Sequence, residues 1–129
     1  MEDIKVPVSA GELIDKISIL KIKKNKIKNK SKLKNINHEL SLLKKIYQNN
    51  FKKNKKIIIF EKKLILINKK LWEIEDKIRL HESKKNFNKD FIKLARAVYF
   101  TNDQRSDIKK KINKLTGSLI IEEKSYKSY

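Results

Sequence analysis

The feature that most constrains the fold is a run of apolar residues that recur at alternating steps of three and four. The run consists of Ile57, Phe60, Leu64, Ile67, Leu71, Ile74 and Ile78. This spacing places the side chains on one stripe of an α-helix, whereas a half-buried strand would alternate at every second residue. Ile58, Ile65 and Trp72 widen the stripe, so we expect the helix to contact more than one neighbour. The pattern predicts a helix over residues 55–83, about 40 Å long.

Two further helices are predicted before this one. Ser9 followed by Glu12 is typical of a capping box, in which each residue satisfies a backbone N–H of the first turn. Apolar residues then recur at helical spacing, which predicts a helix over residues 9–28. A second stripe of alternating three- and four-residue steps predicts a helix over residues 32–48, with Ser31 as its N-cap.

The last predicted helix spans residues 89–116. Asn88 precedes it as the expected N-cap, and Gly117 follows it at the position where a left-handed residue commonly ends a helix. Residues 49–54 interrupt the apolar pattern and are predicted to form a loop. Residues 117–129 form a tail.

The two chain ends carry weaker signals. Apolar and polar residues alternate over Ile4–Val8, and the tail opens with the apolar segment Leu119–Ile121. Together they predict a short two-stranded β-ribbon, although Pro7 lacks the N–H group that an inner strand needs.

These elements predict an all-α fold of antiparallel helical hairpins that form one four-helix bundle-like domain over residues 1–129. Two glycines and one proline are too few for the turns of an all-β protein. Because the third and fourth helices are longer than the first two, they can cover only part of each other's apolar faces. We therefore expect a second copy to complete the burial in a homodimer.

The formal net charge of +19 raises the question of nucleic-acid binding, because lysine and arginine neutralise phosphates. Nearly all of the excess is lysine, whereas arginine is better suited to recognise phosphates and bases. Lys, Asn and Ile, each of which has at least one codon made only of A and T, are inflated together, which indicates an AT-rich genome. Non-specific nucleic-acid binding through the lysine-rich segments 21–34, 52–56 and 109–114 is therefore an alternative that we do not favour.

The residue types disfavour several classes of site. The absence of cysteine excludes disulfides and thiolate metal sites, and the two histidines, His38 and His81, are far apart. We expect no metal, no cofactor and no catalytic group, and an enzyme is less favoured than a binding protein. No apolar run approaches the roughly 20 residues that span a bilayer, and the N-terminus is acidic. These features predict a cytoplasmic protein without membrane insertion.

The stripe of the fourth helix is interrupted by polar residues. They are Arg96, Thr101, Asn102, Asp103 and Arg105. A buried arginine needs carboxylates, which Glu12, Asp15, Glu73 and Asp76 supply on other helices. We favour a structural ion-pair network over the alternative, a small-anion site or enzyme centred on Arg96 and Arg105.

The acidic cluster at residues 73–76 predicts structural ion pairs. Glu75 precedes Arg79 by four residues, which is the favourable orientation on a helix. Glu73 and Asp76 belong to the same predicted set. Paired catalytic carboxylates or a metal site are less favoured because no histidine accompanies them. His81 is expected to be a packed, hydrogen-bonded residue near the following turn.

Several stretches together resemble a known family. They are VPVSAGELIDKISILKIK (6–23), LWEIEDKIR (71–79), FIKLARAVYFTNDQR (91–105), KKKIN (109–113) and EEKSY (122–126). They are similar to a small bacterial all-helical family known only as a domain of unknown function, whose members are often encoded near surface-glycan genes. The resemblance covers nearly the whole chain and implies an accessory, protein-interacting role linked to cell-surface glycan biosynthesis.

The resemblance also implies a candidate site for an anion or a protein partner. Its residues are Glu12, Asp15, Lys16, Arg96, Asn102, Asp103, Arg105, Glu123, Lys124 and Tyr126. They are dispersed along the chain, and we hypothesise that the fold gathers them in one place.

Overall fold

The computed structural model describes residues 1–51 and 54–129. Its four helices are α1 (Ala10–Lys26), α2 (Lys30–Asn50), α3 (Lys55–Ser83) and α4 (Lys89–Thr116). The all-helical prediction is confirmed, and the predicted bounds of the last two helices are those observed. The first helix is shorter than predicted. The second extends into the predicted loop at 49–54, of which Lys52 and Lys53 lie outside the described residues.

Polar caps fix most of the helix boundaries. The Ser9 and Asn88 side chains each accept a backbone N–H of the first turn, as the sequence predicts. Gly117 adopts the left-handed conformation with φ of 65° after α4. The N-cap of α2 is Asn29 and not the predicted Ser31, because the Asn29 side chain accepts a first-turn N–H at 3.0 Å. An asparagine two residues earlier therefore lengthens the helix.

Helix α1 is the centre of the arrangement. It packs against α2, α3 and α4, and α3 and α4 pack against each other as a long antiparallel hairpin. Among the described helices, the backbone of α2 lies close to that of α1 only, and its Tyr47 side chain reaches the second apolar cluster described below. One apolar cluster joins α1 to α2 and consists of Leu13, Ile17, Leu20, Ile36 and Leu40. A second joins α1 to the hairpin and consists of Ile14, Ile57, Leu64, Ile108 and Ile112.

A glycine allows α1 to approach α4 closely. The Gly11 N–H donates to Asn113 Oδ1 at 2.7 Å, and this contact is buried. A Cβ atom at Gly11 would lie 2.6 Å from the backbone oxygen of Lys109, closer than packed atoms approach. The missing side chain therefore brings the first turn of α1 against the last turns of α4.

The predicted β-ribbon is not supported, because the described residues contain no strand. Ile4 and Val6 are 81% and 67% exposed, so the N-terminal segment has no partner to pair with. The tail instead turns back along α4. The Ser118 hydroxyl accepts the Ala10 N–H, and the Tyr129 ring packs on two aromatic rings of α4. Side-chain anchors take the place of a backbone ladder.

Within the described part of the chain, none of the helices combines the length and the apolar character needed to cross a membrane.

Candidate functional site

A buried carboxylate lies where α1, α3 and α4 meet. The Asp15 side chain is fully buried and accepts Nδ2 of Asn68 at 2.9 Å and Nε of Arg105 at 3.0 Å. The second carboxylate oxygen of Asp15 bonds Nη2 of Arg105. This fork-to-fork geometry is the strong, directional form of an arginine–carboxylate pair. It therefore fixes the register of α1 on both helices of the hairpin.

Lys109 extends this pair into a network. Its Nζ lies 2.6 Å from Glu12 Oε2, 2.9 Å from Glu122 Oε2 and 3.9 Å from Asp15 Oδ2. The lysine side chain is only 12% exposed, so burial alone would lower its pKa, but the surrounding carboxylates raise the pKa above its usual value. Two cations thus share three carboxylates, and the tail is tied to α4 through Glu122.

The pKa values of the partners shift in the complementary sense. The hydrogen bond to Asp15 raises the pKa of Arg105 despite its burial. The hydrogen bond to Lys109 lowers the pKa of the Glu122 carboxyl. Each group is therefore stabilised in its charged form, as a structural ion network requires.

A groove of about 540 Å³ opens beside this network. Its lining comes from α1, α3 and α4 and consists of Ile19, Ile22, Asn68, Leu71, Trp72, Glu75, Asp76, Arg79, Asn102 and Arg105. The volume falls within the range of ligand sites, roughly 300–1,000 Å³. The groove combines an apolar wall that includes an indole with two carboxylates, two guanidinium groups and two amides. It can therefore contact apolar surface, hydrogen-bond donors and hydrogen-bond acceptors of one ligand.

The structure places Arg96 and Arg105 on opposite faces of α4. They are nine residues apart, which at about 100° per residue is a half-turn. Arg96 is exposed and its Cζ lies 5.8 Å from the centre of the Phe100 ring, whereas Arg105 reaches Asp15 and the groove. Two arginines so placed do not converge on one small anion.

The other residues of the predicted site have separate positions. Asn102 lines the groove, and Asp103 accepts the Tyr129 hydroxyl at the end of the tail. Lys16 is exposed, 4.0 Å from Glu12. The remaining tail residues, Glu123, Lys124 and Tyr126, are exposed. The fold thus gathers Glu12, Asp15, Asn102 and Arg105 around the groove and network, and leaves the others at the surface.

The acidic cluster of α3 divides between the groove and the solvent. Arg79 Nε lies 3.6 Å from Glu75 Oε2, and both residues line the groove with Asp76. Glu73 is exposed outside it. His81 Nδ1 lies 2.9 Å from the Asn86 carbonyl oxygen in the hairpin turn, which confirms the predicted hydrogen-bonded histidine.

Five residues that make these contacts were not predicted as site residues: Gly11, Asn68, Lys109, Asn113 and Glu122. All except Asn68 lie in the stretches that carry the family resemblance. A detectable signal existed for Asn68, a single amide beside the apolar stripe of α3. Lys109 lies in a run of three lysines, and only the phase of α4 decides which of them is buried. The lysine-rich segment 109–114 is one of those predicted to be available to nucleic acid, but Lys109 is bound to carboxylates and is not available.

The described residues contain no group of three or more histidine or acidic side chains that could hold a metal ion.

Comparison with known proteins places the chain in a family without supplying an activity. Neither a curated protein nor a solved structure matches it significantly. A family model described as a family of unknown function, DUF6165, matches residues 4–129, and the chain belongs to that family.

Proposed function

We propose that the protein is an accessory binding protein whose groove holds a hydroxyl-rich ligand, of the chemical type found in cell-surface glycans and their precursors. The observation that carries the proposal is the convergence of Trp72, Glu75, Asp76, Arg79 and Asn102 in one groove. These residues come from two stretches that the sequence resemblance singles out.

The groove has the mixed chemistry that a polyol needs. Each hydroxyl both donates and accepts hydrogen bonds, so it can pair with the Asp76 carboxylate or with the Asn102 amide. The half-buried Trp72 ring offers an apolar face for the C–H groups of a sugar ring. Because Asp15 neutralises Arg105, the two carboxylates of the groove face one further guanidinium group. This excess of negative charge favours a neutral, hydroxyl-rich moiety over a simple anion.

The only tryptophan of the chain gives a direct test, because Trp72 lines the groove. We expect its fluorescence to change on titration with oligosaccharides or nucleotide sugars, and to remain constant on titration with inorganic phosphate. Asp76→Asn should weaken binding by roughly 10-fold or more, the loss of one charge-assisted hydrogen bond.

Glu73→Gln is the matched control for Asp76→Asn. It removes a carboxylate from the same helix, three residues away, at an exposed position outside the groove. Equal effects of the two substitutions, or a fluorescence response to phosphate alone, would contradict the proposal.

We also propose that the protein acts as a homodimer in the bacterial cytoplasm. The distal end of the α3–α4 hairpin exposes large apolar residues, among them Leu80, Phe87 and Ile92 at 53–54%. A second hairpin packed there would bury this surface. Sedimentation should give twice the monomer mass, and Leu80→Glu should return the protein to monomers, whereas the exposed-site control Glu73→Gln should not.

A second candidate function is non-specific polyanion binding, and the distribution of charge favours it. Residues 16–60 contain 15 lysines and one acidic residue, Glu39, so the positive charge is concentrated in one part of the sequence. The lysines from Lys21 to Lys34 surround the α1–α2 connection, and most are exposed. This concentration is more than even scatter of lysine would produce.

Salt dependence tests this candidate. Nuclease-treated protein should bind mixed-sequence DNA and RNA with an affinity that falls by roughly 10³–10⁵ between about 50 and 200 mM salt, if 6–10 phosphates are contacted. Retention of micromolar binding at the higher salt would support the function. Absence of binding even at the lower salt would mark the charge as compositional.

A further inference from the structure

A second cavity, of about 260 Å³, lies between α1, α2 and α3 on a different face of α1 from the groove. It is independent of the proposed function, since the two sites share no lining residue. Its inner wall includes the Glu61 side chain of α3 and the Tyr47 side chain of α2. Tyr47 belongs to the apolar stripe that predicts the second helix, whereas no sequence pattern points to Glu61.

The cavity contains an unsatisfied acceptor. Glu61 Oε1 is buried and has no hydrogen-bond partner among the described residues. A buried carboxylate oxygen without a donor is costly, and native proteins rarely retain one without a role. Glu61 Oε1 is therefore available to a donor group that enters the cavity from outside.

The neighbouring tyrosine remains a neutral phenol. Burial raises the pKa of the Tyr47 hydroxyl, and its hydrogen bond to the Glu61 carboxylate and the negative charge of that group raise it further. The inner end of the cavity thus presents one carboxylate and one phenol. A second anion is disfavoured there.

The rest of the lining changes character from the inside to the mouth. Ile14, Ile17 and Ile65 make part of the lining apolar. Lys21 and Lys44 also line the cavity and are exposed, which places two ammonium groups at its solvent side. A fitting molecule therefore has a hydrogen-bond donor at one end, an apolar body and an anionic group at the other end.

We propose that this cavity binds a small carboxylic acid that carries a hydroxyl or amino group on an apolar body. The hydroxyl or amino group donates to Glu61 Oε1, and the carboxylate lies between Lys21 and Lys44. The volume, at about 30 Å³ per displaced water, accommodates a molecule of roughly ten heavy atoms. Arylacetic acids have this size.

Three nearly isosteric probes test the proposal with the full chain by calorimetric titration. They are para-hydroxyphenylacetate, para-aminophenylacetate and phenylacetate. We expect one or both of the first two to bind roughly 10- to 100-fold more tightly than phenylacetate, the value of a hydrogen bond to a charged group. Which of the two binds distinguishes a hydroxyl donor from an amino donor. Equal affinities for all three probes, or no binding, would overturn the proposal.

Two substitutions identify the site. Glu61→Leu should remove the preference for the donor-bearing probes, and the exposed control Glu39→Leu on α2 should leave it intact. Lys44→Gln should weaken all three probes by a similar factor, because it removes a contact to the shared carboxylate. Lys45→Gln, its exposed neighbour outside the cavity, should not.

A thermal-unfolding measurement separates a ligand site from a structural carboxylate. Without ligand, Glu61→Leu should raise the Tm, because it replaces an unsatisfied buried acceptor by an apolar group of similar size. A lower Tm would mean that the chain itself satisfies the carboxylate, and the proposal would fail. The Glu39→Leu control should leave the Tm nearly unchanged.

Discussion

Helix α1 meets α2 through an apolar interface and meets α4 through a mixed one that adds ion pairs to apolar contacts. Against α2 it buries Leu13, Ile17 and Leu20 in an apolar cluster. Against α4 it places Glu12 and Asp15 on Arg105 and Lys109. The apolar contact provides attraction with little directional preference, whereas the charged contact is strong only in one geometry. One face of α1 therefore provides apolar attraction to α2, and another fixes the position of α1 against α4.

The groove lies on the side of α1 that contacts α4. Arg105 bonds Asp15 and lines the groove, so the ion network holds a groove residue in place. The apolar interface with α2 tolerates more substitutions, because apolar cores accept volume-conserving changes. Substitutions at the two interfaces should therefore differ in size, kind and pH dependence.

The largest effect is expected for Asp15→Ala. It leaves the Arg105 guanidinium without its carboxylate and the Asn68 amide with Ser18 as its one remaining acceptor, which should lower the free energy of unfolding by about 4 kcal/mol. Urea unfolding measures the change. The double substitution Asp15→Leu with Arg105→Met removes both charges and should recover most of the stability. If the double variant is as unstable as the single one, the pair does not act as a unit.

Leu40→Ala is the counterpart at the apolar interface. Leu40 is 3% exposed, and its truncation should lower the free energy of unfolding by about 3 kcal/mol. Because the backbone of α2 lies close only to that of α1, hydrogen exchange should accelerate mainly in α2. Leu42→Ala, at an exposed position on the same helix, is the control and should have little effect. Uniform acceleration across all four helices would contradict the difference between the interfaces.

Gly11→Ala tests the close approach of α1 to α4. The new Cβ would meet the Lys109 backbone oxygen and the Asn113 side chain, so we expect a loss of about 2 kcal/mol in the free energy of unfolding. Gly117→Ala is the matched control. No atom lies within 4 Å of its Cβ position, so only its left-handed backbone is strained, at about 1 kcal/mol. Denaturant titration of both variants should reproduce this order.

A smaller effect with a defined pH dependence is expected for Glu122→Gln. Lys109 lowers the folded-state pKa of Glu122 below its ordinary value of 4.5, so the stabilisation is present above that pH and is lost as the pH falls through the folded-state pKa. The side chain is 53% exposed, which limits the contribution to less than about 1 kcal/mol. Wild type and variant should therefore differ in Tm at neutral pH and converge in acid. Glu123→Gln, at the adjacent exposed position, should have nearly the same Tm as wild type at both pH values.

The smallest effect concerns the tip of the tail. The hydrogen bond to Asp103 raises the pKa of the Tyr129 hydroxyl to about 12. Tyrosinate absorbance or NMR titration should show one tyrosine at this value, and Asp103→Asn should return it towards the ordinary value of 10.0. Asp107→Asn, which removes a weaker and more distant influence, should shift it less. An unchanged titration in Asp103→Asn would mean that the tail does not dock there in solution.

Local patterns predicted the long hairpin better than the network. The bounds of α3 and α4 follow from apolar periodicity, from the Asn88 cap and from Gly117, all of which act within a few residues. The α1–α4 contact joins Gly11 to Asn113, which are about a hundred residues apart in sequence. Its partners could not be paired without the fold. The alternation of apolar and polar residues predicted a terminal β-ribbon, but the tail is held instead by the side chains of Ser118 and Tyr129.

The backbone of α2 lies close to α1 alone, which has a consequence for how α2 moves. A helix held mainly by one neighbour opens locally at a lower free energy than the whole molecule unfolds. Each opening carries Tyr47 and Lys44 away from Glu61 and exposes the cavity between α1, α2 and α3. Opening of α2 therefore gives a molecule a second route into the cavity, besides the mouth at Lys21 and Lys44, and this route should saturate at the α2 opening rate as the concentration of the molecule rises.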